Sequence, residues 1–136
     1  MREILFRGKN KNKIVWCVGG LLYDEENDKA LIAEHFEDGA AYLREVFPET
    51  VGQYTGLTDK NGKKIFEGDI VTGLFLFGMP IKAVVVFKDG SFGLGWSRGG
   101  TNTFNAFTSL CNVEYEVIGN VFDNPDLIGR NRQCLN

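Results

Sequence analysis

The sequence predicts an all-β protein with a minor helix, on three observations. Apolar and polar residues alternate with period two in one segment after another, and these segments are rich in β-branched and aromatic residues. The chain has 17 glycines among 136 residues, which is typical of folds with many turns. No segment offers the long crossover helices that a parallel sheet requires. We therefore expect short antiparallel strands closed into a barrel, because closure removes exposed strand edges.

The first 52 residues are predicted to form a β-meander lobe. The segment REILFR begins the first strand, and the polar GKNKNK that follows is typical of a turn. The apolar KIVWCVGGLLYD then returns antiparallel, and its Gly19-Gly20 pair indicates a bulge or the close approach of another backbone. EENDK predicts a hairpin tip before a third strand, ALIAEHF. The sequence leaves open whether this lobe packs on its own barrel or on that of a neighbour.

The lobe is predicted to end in a short helix. In EDGAAYLREVFPET, residues 37–50, the alanines, Leu43 and Arg44 favour a helical turn. Asp38 is a suitable N-cap and Pro48 would stop the helix. The pattern spans barely two turns.

Residues 53–129 are predicted to form the barrel. Asn61-Gly62 and Asp89-Gly90 are dipeptides that favour tight hairpins. The segment IFEGDIVTG interrupts an apolar run with Gly68 and Asp69. We expect Gly68 to take a positive φ at a tight corner. We expect the side chain of Asp69 to accept backbone N–H bonds in an Asx-type turn before the next strand.

The C-terminal region has signals for one or two helical turns. Asn124 is a good N-cap, Pro125 suits the first helical position, and Gly129 suits the residue after the end. Residues 130–136 are predicted to be a flexible tail.

Cysteine and histidine usage argues against disulfides, metals and cofactors. Cys17, Cys111 and Cys134 are far apart, and His35 is the only histidine, so the spacing of a zinc site is missing. His35 as a general base has no nucleophile placed near it, and we predict no catalytic residue and no enzyme activity. The first residues lack the apolar core of a secretory signal, and no apolar run reaches the length of a membrane span. We expect a cytoplasmic protein without a membrane partner.

The charges are unevenly distributed although the net charge is only −3. Residues 24–38 are strongly acidic, whereas a basic run precedes them. The basic run could bind phosphates, but a solvated hairpin tip is favoured because nucleic-acid interfaces usually need a wider positive face. A third alternative is that the acidic segment meets the basic run of a second copy. The candidate nucleic-acid-binding residues are Arg7, Lys9, Lys11, Lys13 and, in the loop SRGGTN, Arg98.

The segment GLFLF predicts an oligomer interface. Its four consecutive apolar residues make both faces of a strand apolar, and only one face can enter the barrel. The other face must pack under the N-terminal lobe or against another subunit, because an exposed patch of this kind favours association. The candidate interface residues are Leu74, Phe75, Leu76 and Phe77.

Three segments in this order and spacing resemble the YopX family: QYTGLTDKNGKKIFEGDIV, VVVFKDGSFGL and YEVIGNVFDNPDLI, with MREILFRG at the start. The family consists of small proteins encoded by phages and prophages of bacteria. The resemblance covers most of the chain, is specific in residues 53–71 and 115–128, and is weak in residues 14–50. It implies an all-β fold with an SH3-like barrel, and it brings no catalytic residue or cofactor.

Three functional hypotheses follow, in this order. The first is a non-catalytic, homo-oligomeric module that binds a protein partner in the bacterial host cell. The second is a nucleic-acid-associated accessory factor of phage DNA metabolism, which would use the basic run and the aromatic residues near Arg98. The third is a small enzyme, for which the sequence offers only scattered candidates.

Overall fold

A computed structural model describes residues 1–76, 78–107 and 114–129 of the chain. These residues form strands in two antiparallel sheets and two short 3₁₀ turns, at Pro48–Thr50 and Pro125–Leu127, so the all-β prediction is confirmed. None of the helical segments described is long and apolar enough to cross a bilayer. The strands are β1 (Phe6–Lys9), β2 (Trp16–Asp24), β3 (Lys29–His35), β4 (Ala41–Val46), β5 (Gly52–Thr58), β6 (Lys64–Phe66), β7 (Asp69–Leu76), β8 (Met79–Lys88), β9 (Ser91–Arg98), β10 (Thr101–Ala106) and β11 (Glu116–Asn120).

The two sheets have the orders β4-β3-β2-β1-β5-β6 and β10-β9-β8-β7-β11. The chain divides into two compact units, Met1–Gly56 and Leu57–Asn136, so the division falls within β5. The sequence placed it between residues 52 and 53, at the start of the same strand. Each unit has a separate cluster of buried apolar residues.

A closed barrel is not found in the second unit. Its strands form an open order, and among the residues described no ladder joins β10 to β11. The first strand of the five-stranded sheet, β7, pairs with both β8 and the last strand, β11. The expected closure of these strands is therefore not confirmed.

In the first unit, β2 changes its pairing partner at Gly19-Gly20. Residues 16–19 pair with β1, and residues 20–24 pair with β3. A Cβ atom at Gly19 would lie 1.9 Å from the carbonyl oxygen of Ala33. The predicted close approach of another backbone is confirmed, because only glycine leaves room for it.

The strands of the first unit pack on a small core of Cys17, Ala30, Ile32 and Val46, each at most 2% exposed. The end of β4 returns to the residues that follow β1. Lys11 N donates to the carbonyl oxygen of Glu45 at 3.0 Å, and Phe47 N donates to that of Lys9 at 2.9 Å.

The predicted short helix after residue 38 is wrong, because residues 41–46 form β4. Asp38 does not cap a helix: its Oδ1 accepts from the backbone N–H of Ala40 at 2.9 Å, in the turn between β3 and β4. Gly39 occupies this turn at φ +85°. A two-turn helix is marginal by itself. The strand gains a full ladder with β3 and buries Val46 completely, and this tertiary gain exceeds the local helical preference.

The corner at Gly68 is confirmed. Gly68 has φ +92°, its N–H donates to the carbonyl oxygen of Val85 at 2.8 Å, and its carbonyl accepts from Val121 N at 2.9 Å. The side chain of Asp69 accepts a backbone N–H bond just before β7, as expected, and the donor is a residue that precedes it in the chain. Its Oδ2 accepts from the N–H of Phe66 at 2.7 Å and so closes the turn between β6 and β7. The two residues that follow, Ile70 and Val71, are buried.

The C-terminal signals produce only one 3₁₀ turn, Pro125–Leu127. The side chain of Asn124 does not cap it, because its Oδ1 accepts from the N–H of Asn120 at 3.2 Å. Gly129 has φ +66°, as expected of a residue just past a helical end. The predicted tail, residues 130–136, lies outside the described residues.

Asp59 holds the turn between β5 and β6 to β11. Its Oδ1 accepts from the N–H groups of Asn61 and Lys63, each at 2.9 Å, and its Oδ2 accepts from that of Val117 at 3.0 Å. Burial alone would raise the pKa of this carboxyl group. The three backbone N–H donors outweigh that effect and hold its pKa below the usual range.

We predict that Asp59→Ala lowers the free energy of unfolding by about 2 kcal/mol at neutral pH, because buried N–H groups lose their acceptor. A lowered folded-state pKa contributes stability that is complete above the unfolded value of about 4 and is lost as pH falls through the folded value. Urea unfolding across pH should therefore show the difference between wild type and variant shrinking in acid. Asp126→Ala, at an exposed carboxylate, is the control. A difference that is constant with pH would contradict this account.

Ile14 is strained in the turn between β1 and β2. It has φ +51°, a region that β-branched residues avoid, and its side chain is 69% exposed. We predict that Ile14→Asn raises the free energy of unfolding by about 1 kcal/mol, because asparagine tolerates this conformation. Chemical denaturation measures the change, and Val15→Asn, at an exposed neighbour with negative φ, should give no gain. Equal effects of the two substitutions would refute the strain.

Candidate functional site

The first half of the predicted basic run packs around an indole ring. The Arg7 guanidinium lies 4.6 Å from the centre of the Trp16 ring, and the Lys9 ammonium lies 5.7 Å from it. Arg7 is only 7% exposed. A guanidinium held in this way contributes to packing and cation–π attraction, and it presents little surface to a phosphate.

In the second half of the run, Lys11 is paired with an acidic residue of β4 in the same chain. Lys11 Nζ lies 2.8 Å from Glu45 Oε2, and Lys29 Nζ lies 3.8 Å from Glu45 Oε1. The hydrogen bond with Glu45 raises the pKa of Lys11 and lowers that of Glu45, and the nearby charges of Glu49 and Asp28 act on Lys11 in the same direction. Lys13 is exposed beside them. The local charge is therefore mixed, and opposite charges meet here without a second copy.

Arg98 lies at the end of β9, next to the hairpin that joins β7 to β8. Its Nη2 atom is 3.3 Å from the sulfur of Met79, and both side chains are exposed. The predicted nucleic-acid residues are divided between the two units. Arg7, Lys9, Lys11 and Lys13 belong to the first unit, and Arg98 belongs to the second.

The predicted oligomer interface divides between a core and a surface. Leu74 packs against the core of the second unit, which contains Val71, Val85 and Leu94. Phe75 is 65% exposed and pairs with Pro80 across the hairpin. Leu76 ends β7, and Phe77 lies outside the described residues. Phe75 and Pro80 are both exposed and share one face of the hairpin, and we call this pair the hairpin tip.

A second exposed apolar surface was not predicted from the sequence. Leu22 and Leu43 are 54% and 58% exposed although they lie on strands. On the other face of β4, the rings of Tyr42 and Phe36 are in contact at 5.3 Å, and both are exposed. The alternating positions of Tyr42, Arg44 and Val46 are compatible with a strand, but the helix-favouring composition of the segment obscured this pattern.

Strand β4 also has an outward backbone edge. Its even-numbered residues face β3, as the bond from Phe36 N to the carbonyl of Ala40 continues the ladder. Its odd-numbered residues face away, because the carbonyl of Glu45 accepts from Lys11 N. By this alternation Ala41 and Leu43 direct their N–H and C=O groups outward. No hydrogen bond from the described part of the chain reaches them.

We define the β4 edge as Phe36, Ala41, Tyr42, Leu43 and Arg44. Arg44 Nε is 3.3 Å from Glu34 Oε1, and its guanidinium lies 5.2 Å from the Tyr42 ring centre. The edge thus combines unpaired backbone groups, exposed apolar side chains and one cation. Such an arrangement can take an added strand, since main-chain bonds supply affinity and the side chains on either face supply specificity.

Within residues 1–76, 78–107 and 114–129, no three acidic, cysteine or histidine side chains are grouped as metal ligands. The pKa of the Cys17 thiol is raised, and burial is the main cause. His35 is exposed at the end of β3.

Comparisons with known proteins agree with the fold. The family model described as YopX protein matches residues 5–129 of the chain. Among solved structures, the protein EF1440 from Enterococcus faecalis superposes with a TM-score of 0.58. It is 24% identical in sequence, and the match covers 94% of this chain and 99% of that one. At this identity the likeness supports the fold alone. No curated protein matches the sequence.

Proposed function

The chain belongs to the YopX family, and on that premise we propose that it is a non-catalytic, homo-oligomeric protein-interaction module. The observation that carries the proposal is the exposure of large apolar side chains on strands: Leu22, Leu43 and Phe75 are each more than half exposed. Soluble proteins seldom leave such residues together at an exposed edge or tip unless another chain covers them. The resemblance to phage and prophage proteins supports a place in the cytoplasm of a bacterial host.

The second unit is the scaffold for one of these surfaces, and we propose an SH3-like arrangement for it. Five antiparallel strands, with the first one between the second and the last, support this arrangement. The cluster around Val71, Val85 and Leu94 fixes the strands. The hairpin tip with Phe75 is thereby held on a packed base, which lowers the entropic cost of binding.

The nucleic-acid alternative has less support. Arg7 is buried against Trp16, and Lys11 is paired with Glu45, so two of the four cations of the run are occupied. Counterion release requires cations that can reach phosphates. Lys13 and Arg98 are exposed but lie in different units.

We predict that the wild-type protein self-associates in the micromolar range and that Phe75→Ser weakens this. Burying one phenylalanine contributes about 1.5–3 kcal/mol. Its loss should therefore raise the dissociation constant by about tenfold or more. Sedimentation velocity over a concentration series measures the change.

Phe87→Ser is the matched control. Phe87 is exposed to a similar degree, at 53%, but it lies near the other end of β8 and packs edge-on against Phe92. Its substitution should leave the association unchanged. A wild-type protein that remains monomeric throughout the series would overturn the homo-oligomeric proposal.

A further inference from the structure

We propose that the β4 edge pairs with the β4 edge of a second copy, in an antiparallel ladder centred on Tyr42. This inference rests on the proposed self-association and specifies one of its contacts. The occupant is a second copy because the edge is self-complementary in three respects: its backbone groups, its side chains and its charges.

The outward backbone groups fix the register. With a two-fold axis at Tyr42, Ala41 of each copy lies opposite Leu43 of the other, and such a pair exchanges both N–H···O bonds. All the outward groups of these two residues then have partners in both copies. An axis at Leu43 would instead place Ala41 opposite Glu45, whose carbonyl already accepts from Lys11 N.

The side chains fit the same register. Tyr42 faces Tyr42 of the second copy as a non-hydrogen-bonded pair, in which side chains are closest. Aromatic pairs across strands are favourable, and Phe36 already packs edge-on against Tyr42. On the other face, Leu43 covers Ala41 of the second copy, and both are exposed in the single chain.

The charges at the two ends of the segment are opposite. Arg44 follows the outward pair, and the acidic Glu37 and Asp38 precede it. Antiparallel pairing brings Arg44 of each copy toward the acidic loop of the other. The side chain of Arg44 lies beside Glu34 and is 37% exposed. It is therefore accessible to the acidic loop of the second copy. Parallel or shifted pairing would lose this match.

The ladder is short, and its buried area falls below that of a standard stable interface, about 800 Å² per partner. The contact is therefore weak and reversible at one edge. Edge strands that must remain single usually carry a lysine, a proline or a bulge. The outward positions of β4 hold alanine and leucine instead.

The first test is Leu43→Pro. Proline removes an outward N–H that makes no bond with the described part of the chain, so the ladder with β3 is kept. We expect sedimentation velocity to show a rise of about tenfold or more in the dissociation constant. Leu43→Ala keeps the N–H and should have a smaller effect, and far-ultraviolet circular dichroism checks that both variants fold.

The second test reads the register directly. In a chain with Cys111→Ser and Cys134→Ser, we expect Tyr42→Cys to form an intermolecular disulfide on mild oxidation. Its Cα atoms would lie about 4.5 Å apart, within the range that a disulfide spans. Arg44→Cys is the matched control and should not link to itself, because it lies opposite residue 40.

The outcomes separate this inference from the proposed function. Wild-type association that Leu43→Pro leaves intact, or a disulfide at Arg44→Cys in place of Tyr42→Cys, overturns the ladder while the homo-oligomeric module stands. A Tyr42→Cys chain that links only to an unrelated host protein overturns the second copy as occupant. A monomeric wild type overturns both.

Discussion

Two buried carboxylates stabilise the turns on which the second unit depends. Asp69 accepts from the N–H of Phe66, and Asp59 accepts from two N–H groups of its own turn and from one on β11. Short strands joined by tight corners leave backbone donors away from water, and each unpaired donor is costly. A carboxylate can accept several of them at once. The strands can therefore remain short and the chain can turn often, without helices to bring distant strands together.

Local turn chemistry explains what the sequence predicted well. Asn61-Gly62 and Asp89-Gly90 specify hairpins through their own backbone preferences, and the Gly68 corner needs only a positive φ. The helix predicted within residues 37–50 is wrong because the ladder of β4 with β3 and the burial of Val46 are tertiary effects, which the local sequence does not show. The same error hid the candidate site. A helix would have satisfied its own backbone, whereas a strand leaves the groups of Ala41 and Leu43 directed outward.

The charged residues show the limit of reading patches from a sequence. Arg7 and Lys9 are spaced as an exposed basic run would be, yet both lie over the Trp16 ring. Glu45, which is distant in sequence, forms ion pairs with both Lys11 and Lys29. The apolar segment 74–77 shows a similar division, since Leu74 serves the core and Phe75 does not. In each case the alternation of a strand was visible, and the partner across the fold was not.

Cys17 gives the first unit an unusual chemical property. Its thiol sits in the small core with Ala30, Ile32 and Val46, and burial raises its pKa. The reactive species of cysteine is the thiolate, so reagents and oxidants in solution meet neither an accessible nor an ionised sulfur. Modification must then wait for the unit to open. The rate at which a thiol-directed dye attaches to Cys17 therefore measures the local opening of this unit.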